Sequence, residues 1–169
     1  MNTTTKLYSL GYADVKTYLF ASIFVAGNIL LPQLCHLIPR GGLILLPIYF
    51  FTLIAAYKYG WRAGLLTAIV SPVVNNLLFG MPPAAMLPVI LLKSTLLALA
   101  ASYAAHRFHK ISLLALLLAV LAYQVAGSLG EWAITGSLAA ALQDFSLGIP
   151  GILLQIFGGW AVLRMIRSI

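Results

Sequence analysis

The sequence predicts an all-α polytopic membrane protein, a six-transmembrane-helix bundle with N- and C-termini cytoplasmic. Three observations carry that prediction. Of 169 residues, 62% are hydrophobic and only 8% are charged, against about 25% charged in soluble domains. The apolar residues gather into runs of membrane-crossing length separated by Gly and Pro. The basic residues collect at alternate ends of those runs. A soluble globule of this size has too much surface to cover with ten basic and three acidic side chains. Residues 1–169 read as a single transmembrane domain, with no linker and no internal repeat.

A helix needs about 20 apolar residues to cross the hydrocarbon core. The first segment, residues 18–38, runs on past Phe24-Val25-Ala26, too far for a cleaved signal sequence, and is read as a retained helix. The second, residues 43–57, is short and begins at a Pro39-Arg40-Gly41-Gly42 turn of re-entrant character. The third, residues 63–79, ends at Phe79-Gly80-Met81-Pro82-Pro83, and the fourth covers residues 84–105. Residues 112–134 form the fifth and residues 148–166 the sixth. Between these last two, a Leu138-Leu142-Phe145 spacing suits a short helix lying on the bundle mouth. Pro72, Pro88 and Pro150 fall within or near helix starts, where neighbours in a membrane satisfy the freed carbonyls.

Orientation follows from the positive-inside rule. With the N-terminus inside, Lys6, Lys16, Lys58, Arg62, Arg107, Lys110, Arg164 and Arg167 all face the cytoplasm, against Arg40 alone outside. The net charge of +7 is therefore an orientation signal. It lacks the stripe of basic and aromatic residues that a nucleic-acid surface shows, so no nucleic-acid partner is expected. His106, Arg107, His109 and Lys110 read as a loop against membrane lipid. Cys35 is the single cysteine, which rules out an intrachain disulfide.

Polar groups at membrane depth are costly and usually face a bundle interior or a cavity. Placed at ~1.5 Å per residue, Asn28, Asn75, Asn76, Lys93, Gln124, Glu131 and Gln155 all fall from the midplane outward, which predicts a substrate pocket open to the outside over an apolar floor. Gln124, Gly127 or Ser128, and Glu131 recur at helical spacing on one face. Gln155 is flanked by Gly151 and Gly158, which permit close approach. Each residue also has a plainer role open to it. Lys93 can pair with Glu131, the amides can tie helices together, and Glu131 can be interfacial. An unpaired Lys93 would favour a carboxylate or phosphate substrate. Ser22 and Ala26, overlapped by Ala21, form a small-xxx-small spacing that suits either internal packing or a partner helix.

Catalytic chemistry is missing. There is no Gly-x-x-x-x-Gly-Lys-Ser/Thr, no His-Glu-x-x-His and no facing pair of aspartates, and the only cysteine and histidine neighbours, Cys35-His36, do not make a metal site. No enzyme activity, resident metal or cofactor is expected.

From Ile38 to Gly80 the chain reads Ile38-Pro39-Arg40-Gly41-Gly42-Leu43, Pro47-Ile48-Tyr49, Tyr59-Gly60-Trp61-Arg62-Ala63-Gly64, Asn75-Asn76 and Phe79-Gly80. This resembles the substrate-binding S component of energy-coupling factor (ECF) vitamin transporters. The resemblance implies a multi-pass protein of the bacterial plasma (inner) membrane that captures a vitamin or related micronutrient near the external face. It also implies a transmembrane coupling protein and two cytoplasmic ATPase subunits as partners, and toppling in the membrane to release substrate. In that family an Ala-x-x-x-Ala pattern on the first helix meets the coupling protein, and Ser22 and Ala26 stand at the matching positions. Nickel and cobalt members begin Met-His, whereas this chain begins Met1-Asn2-Thr3, so a metal substrate is not expected. A rod-shape-determining type of scaffold and a self-sufficient small-solute carrier remain as alternatives.

Overall fold

The structure is a computed structural model that describes Leu7 and residues 9–167. Lys6 and the Met1-Asn2-Thr3 start lie outside the described residues. Within them, every regular element is helical. Helix α1 spans Val15–Cys35, and its Asp14 cap accepts from the Lys16 N–H at 3.0 Å. A five-residue α2, Gly41–Leu45, leads through a 3₁₀ turn, Pro47–Tyr49, into α3, Phe50–Tyr59. Next come α4, Trp61–Phe79, α5, Leu87–Phe108, and α6, Leu113–Thr135. Two single turns, α7 (Leu138–Ala141) and α8 (Gln143–Ser146), precede α9, Ile149–Met165.

Four helical stretches are long and apolar enough to cross a membrane: Val15–Cys35, Trp61–Phe79, Ala84–Phe108 and Leu113–Thr135. Helix α9 is apolar but shorter. The expected second helix is instead broken in two. Pro47 has no N–H to continue α2, and Leu46 before it adopts a left-handed conformation with φ 47°. The unbroken α3 is only about 15 Å long. Leu19, Ile23, Leu30, Leu77, Val125 and Leu129 point outward from the long helices. An apolar exterior of that extent belongs against lipid.

The broken pass forms the axis of the bundle. From Thr52 to Tyr59 every residue of α3 is buried, enclosed by α1, α4, α5 and α9. Helix α4 comes close because Gly64 faces Ala56, where a Cβ would collide with the Ala56 Cβ. The reversal between α3 and α4 takes one residue, Gly60, at φ 96°, a conformation open to glycine. Phe20 of α1 stacks on Tyr59 at 4.0 Å between ring centres.

Both described termini meet at one end of the bundle. There Leu10 donates its N–H to the Tyr59 carbonyl at 3.3 Å, and the Tyr57 hydroxyl donates to the Lys110 carbonyl at 2.7 Å. Lys58, one of the basic residues expected at the cytoplasmic face, is fully buried and donates to the Arg167 carbonyl at 3.0 Å. Arg62 lies over the Trp61 ring at 4.7 Å. Arg40, the α4–α5 turn, α7 and α8 occupy the opposite end.

The Gly64–Ala56 contact gives the first prediction. Gly64→Val overpacks the crossing and should destabilise the detergent-solubilised chain by roughly 1–3 kcal/mol, read as a lowered melting temperature. Adding Ala56→Gly should recover part of the loss, and purely additive behaviour would show that the two sites do not touch.

Candidate functional site

The predicted site residues separate into two polar networks. The first ties α1, α3 and α4. Asn28 on α1 is fully buried and donates to the Thr52 Oγ1 at 3.0 Å and the Ser71 Oγ at 3.3 Å. Its Oδ1 accepts from the Phe51 N–H at 3.1 Å, in the first turn of α3, where helix N–H groups need an outside acceptor. Asn75 on α4 donates to the Asn28 carbonyl at 2.9 Å and the Ser71 carbonyl at 3.0 Å, and accepts from the Gln33 Nε2 at 3.4 Å. Every side-chain polar atom of both asparagines therefore has a partner within the fold. Asn76 lies apart, donating to the Pro82 carbonyl at 2.7 Å and bracing the α4–α5 turn. Asn75 also borders an outer cavity of about 270 Å³ beside His36, Arg40 and Met86.

The second network lies toward the same outer end, among α5, α6, α8 and α9. Lys93 of α5 is 2% exposed. Its Nζ lies 2.5 Å from the Glu131 Oε2 of α6 and 2.8 Å from the Asp144 Oδ2 of α8. Its stem crosses α6 over Gly127, where a Cβ would come within 2.7 Å of the Lys93 Cγ. Below the ion pairs, the Tyr123 hydroxyl donates to the Gln155 Oε1 at 2.9 Å and accepts from the Gln124 Nε2 at 3.0 Å. The Tyr49 ring packs against Tyr123 at 5.6 Å between centres. Gln155 stands in a π turn of α9, Leu154–Gly158, a local widening frequent at functional sites.

The two networks differ in how fully they are satisfied. Among the described residues, Ser94 Oγ, Gln124 Oε1, Ser128 Oγ and Gln155 Nε2 are buried without a hydrogen-bond partner, and all four belong to α5, α6 or α9. Glu131 Oε2 is engaged through its ion pair with Lys93. A buried polar atom without a partner costs about 1–3 kcal/mol, so four around one site call for an explanation beyond packing. The first network has no such atom.

A family model described as the ECF transporter, substrate-specific component, matches residues 16–164. The chain belongs to that family. Searches of curated proteins and of solved structures return no match. The ECF match runs from the start of α1 to the last turn of α9 and so contains both networks. ECF substrate-specific components are transporter subunits rather than enzymes. The family implies a small-molecule substrate and partnership with a coupling protein and ATPases.

Against this S component, the expected Gln124–Gly127–Ser128–Glu131 face is buried as one surface. Lys93, Gln124, Glu131 and Gln155 lie in the α5–α6–α9 network, whereas Asn28 and Asn75 lie in the α1–α3–α4 network and Asn76 at the α4–α5 turn. Lys93 is doubly paired, so the condition for an anionic substrate, an unpaired ammonium, is not met. Sequence reasoning missed Asp144, Tyr123 and Tyr49. The signal for Asp144 was its place in the mouth-lying helical spacing, next to Phe145. On α1, Ser22 and Ala26 face outward while Ala21 is buried in the core.

Removing Lys93 strands two carboxylates beside each other. Lys93→Ala should destabilise the folded chain by about 3–5 kcal/mol. Adding Glu131→Gln and Asp144→Asn should restore most of the lost melting temperature. A single variant as stable as wild type would show that the ion pairs do not form.

Proposed function

We propose that this S component captures a vitamin or related small water-soluble micronutrient at the Lys93–Glu131–Asp144 end of the bundle. Gln124 and Gln155 orient the substrate there. The reading places the chain in a bacterial plasma membrane, crossing it six times, with α2 and α3 together making the second pass and α9 the sixth. Both termini and most basic residues then lie in the cytoplasm, and the capture site opens externally. Release into the cell is the work of a transmembrane coupling protein and two ATPase subunits.

One observation carries the reading: unpartnered buried polar atoms are concentrated around Lys93, Glu131 and Asp144, while the Asn28–Asn75 network is complete. A scaffold protein has no use for unmet hydrogen-bonding groups in its core. The cytoplasmic half of the wall also argues against a self-sufficient carrier. Leu97, Ala98 and Ala101 on α5 and Ala115, Leu116, Ala119 and Val120 on α6 are all buried and apolar, a poor lining for a hydrophilic path.

On α1 the outward Ser22–Ala26 pair is proposed as the docking stripe for the coupling protein, since small side chains let helices approach closely. The inward Ala21 has no part in it.

The chain purified alone in detergent should retain a small molecule at a one-to-one ratio, identifiable by native mass spectrometry. Liposomes containing only this chain should bind the molecule without sustained uptake. Co-reconstitution with the coupling protein and ATPases should start ATP-dependent uptake. Sustained uptake by the lone chain would overturn the subunit reading. Ala26→Leu should leave binding unchanged and cut coupled uptake at least several-fold, because bulk at that position blocks close packing. Equal loss of binding and uptake would place Ala26 in the capture site instead.

A further inference from the structure

We infer that the substrate of this site carries a positive charge, seated against Asp144 and Glu131, with Lys93 acting as the spacer that positions the two carboxylates. The inference rests on the capture reading above and names the chemical class captured. Its first support is a count of charge. One ammonium lies within 2.5 and 2.8 Å of two carboxylates, so the cluster sums to one negative charge. Both of these salt bridges belong to the one cluster, and three other basic side chains are engaged elsewhere. Lys58 donates to the Arg167 carbonyl, Arg62 lies over Trp61, and Arg164 lies over Trp160, all toward the opposite end. Arg40 is exposed at the start of α2. A net charge held away from water is unfavourable unless something compensates it.

The second support is independent of charge. Gln124 Oε1, Ser128 Oγ and Gln155 Nε2 are buried and unpartnered on the helix faces that carry the cluster. Gln124 and Ser128 precede Glu131 along one buried face of α6, and Lys93 crosses that face at Gly127. The carboxylates also differ in access. The Asp144 side chain keeps 13% of its surface exposed, against 4% for Glu131 and 3% for Lys93, so Asp144 is the member an incoming ligand meets. Tyr49 and Tyr123 add aromatic faces beside it, which attract cations. A protonated amine, an amidinium or a quaternary ring nitrogen on a heteroaromatic frame satisfies the whole set. The cation neutralises the cluster, an N–H on the cation or elsewhere on its frame meets the Gln124 carbonyl, and a ring acceptor meets the Gln155 amide. An anion would bring a third negative charge beside an ammonium that already has two partners.

Equilibrium dialysis of the full detergent-solubilised chain tests this with five probes. Thiamine and pyridoxamine bear a cationic nitrogen, riboflavin is uncharged, and biotin and pantothenate bear a carboxylate. At least one cationic probe should bind. Asp144→Asn should weaken it roughly thirtyfold or more, the scale on which losing one partner of a buried charge pair acts, and Asp144→Glu should restore much of the affinity. Asp144→Asn leaves the Lys93–Glu131 pair intact, and a circular-dichroism melt checks that it folds. The inference is overturned if a carboxylate probe binds and Lys93→Ala abolishes it. It also falls if cation binding is unchanged in both Asp144→Asn and Glu131→Gln, the result expected when a shared proton already neutralises the cluster. When no cationic probe binds, the molecule retained through purification decides. A cationic molecule lost on Asp144→Asn supports the inference, and a neutral or anionic one overturns it while leaving capture intact. No retained molecule and no bound probe would overturn both readings.

Discussion

A buried ammonium held between two carboxylates is the interaction on which the outer half of this bundle depends. Lys93 comes from α5, Glu131 from α6 and Asp144 from the short helix α8. One nitrogen atom thus meets carboxylates from two other segments of the chain. The contact exists only because Gly127 leaves room for the lysine stem to cross α6. In a chain with three acidic residues in all, two of them are committed to this point. That commitment also fixes what the site does not do: with its carboxylates held by an ammonium, the cluster is built to hold charge in place.

The α1–α3–α4 side of the bundle follows a different rule. Around α3, the polar groups of Asn28, Thr52, Ser71 and Asn75 form closed sets of hydrogen bonds linking α1, α3 and α4. In a low-dielectric interior such closed sets rigidify the elements they join. The molecule therefore pairs a fully satisfied scaffold with an incompletely satisfied face on α5, α6 and α9. A binding site built on a rigid support loses less order when its ligand arrives.

Much of the fold was legible because hydropathy and punctuation are local. The runs expected at residues 18–38, 63–79, 84–105 and 112–134 appear as Val15–Cys35, Trp61–Phe79, Ala84–Phe108 and Leu113–Thr135. The second segment was misjudged because the left-handed turn at Leu46 has no glycine to announce it. The site was legible only in part, since an amide's role depends on partners far along the chain. Asn28 and Gln124 look alike in sequence. Asn28 finds Thr52 and Ser71 across 24 and 43 positions, whereas the carbonyl of Gln124 finds no partner. Asp144 reaches Lys93 across 51 positions through a connection whose path hydropathy does not encode.

The π turn at Leu154–Gly158 divides α9 into two stretches with separate rotational phase. Gly151 belongs to the outer stretch, Gln155 to the turn itself, and Gly159 and Leu163, packed in the core, to the inner stretch. A π turn holds one residue beyond the α-helical register. Loss of a single residue there would rotate the outer stretch by about 100° against the inner one, exchanging the side chains that look toward Tyr123 while Leu163 stays in place. The helix thus behaves as a dial set on a fixed shaft. One insertion or deletion re-indexes the side chains that face Tyr123 and spares the core.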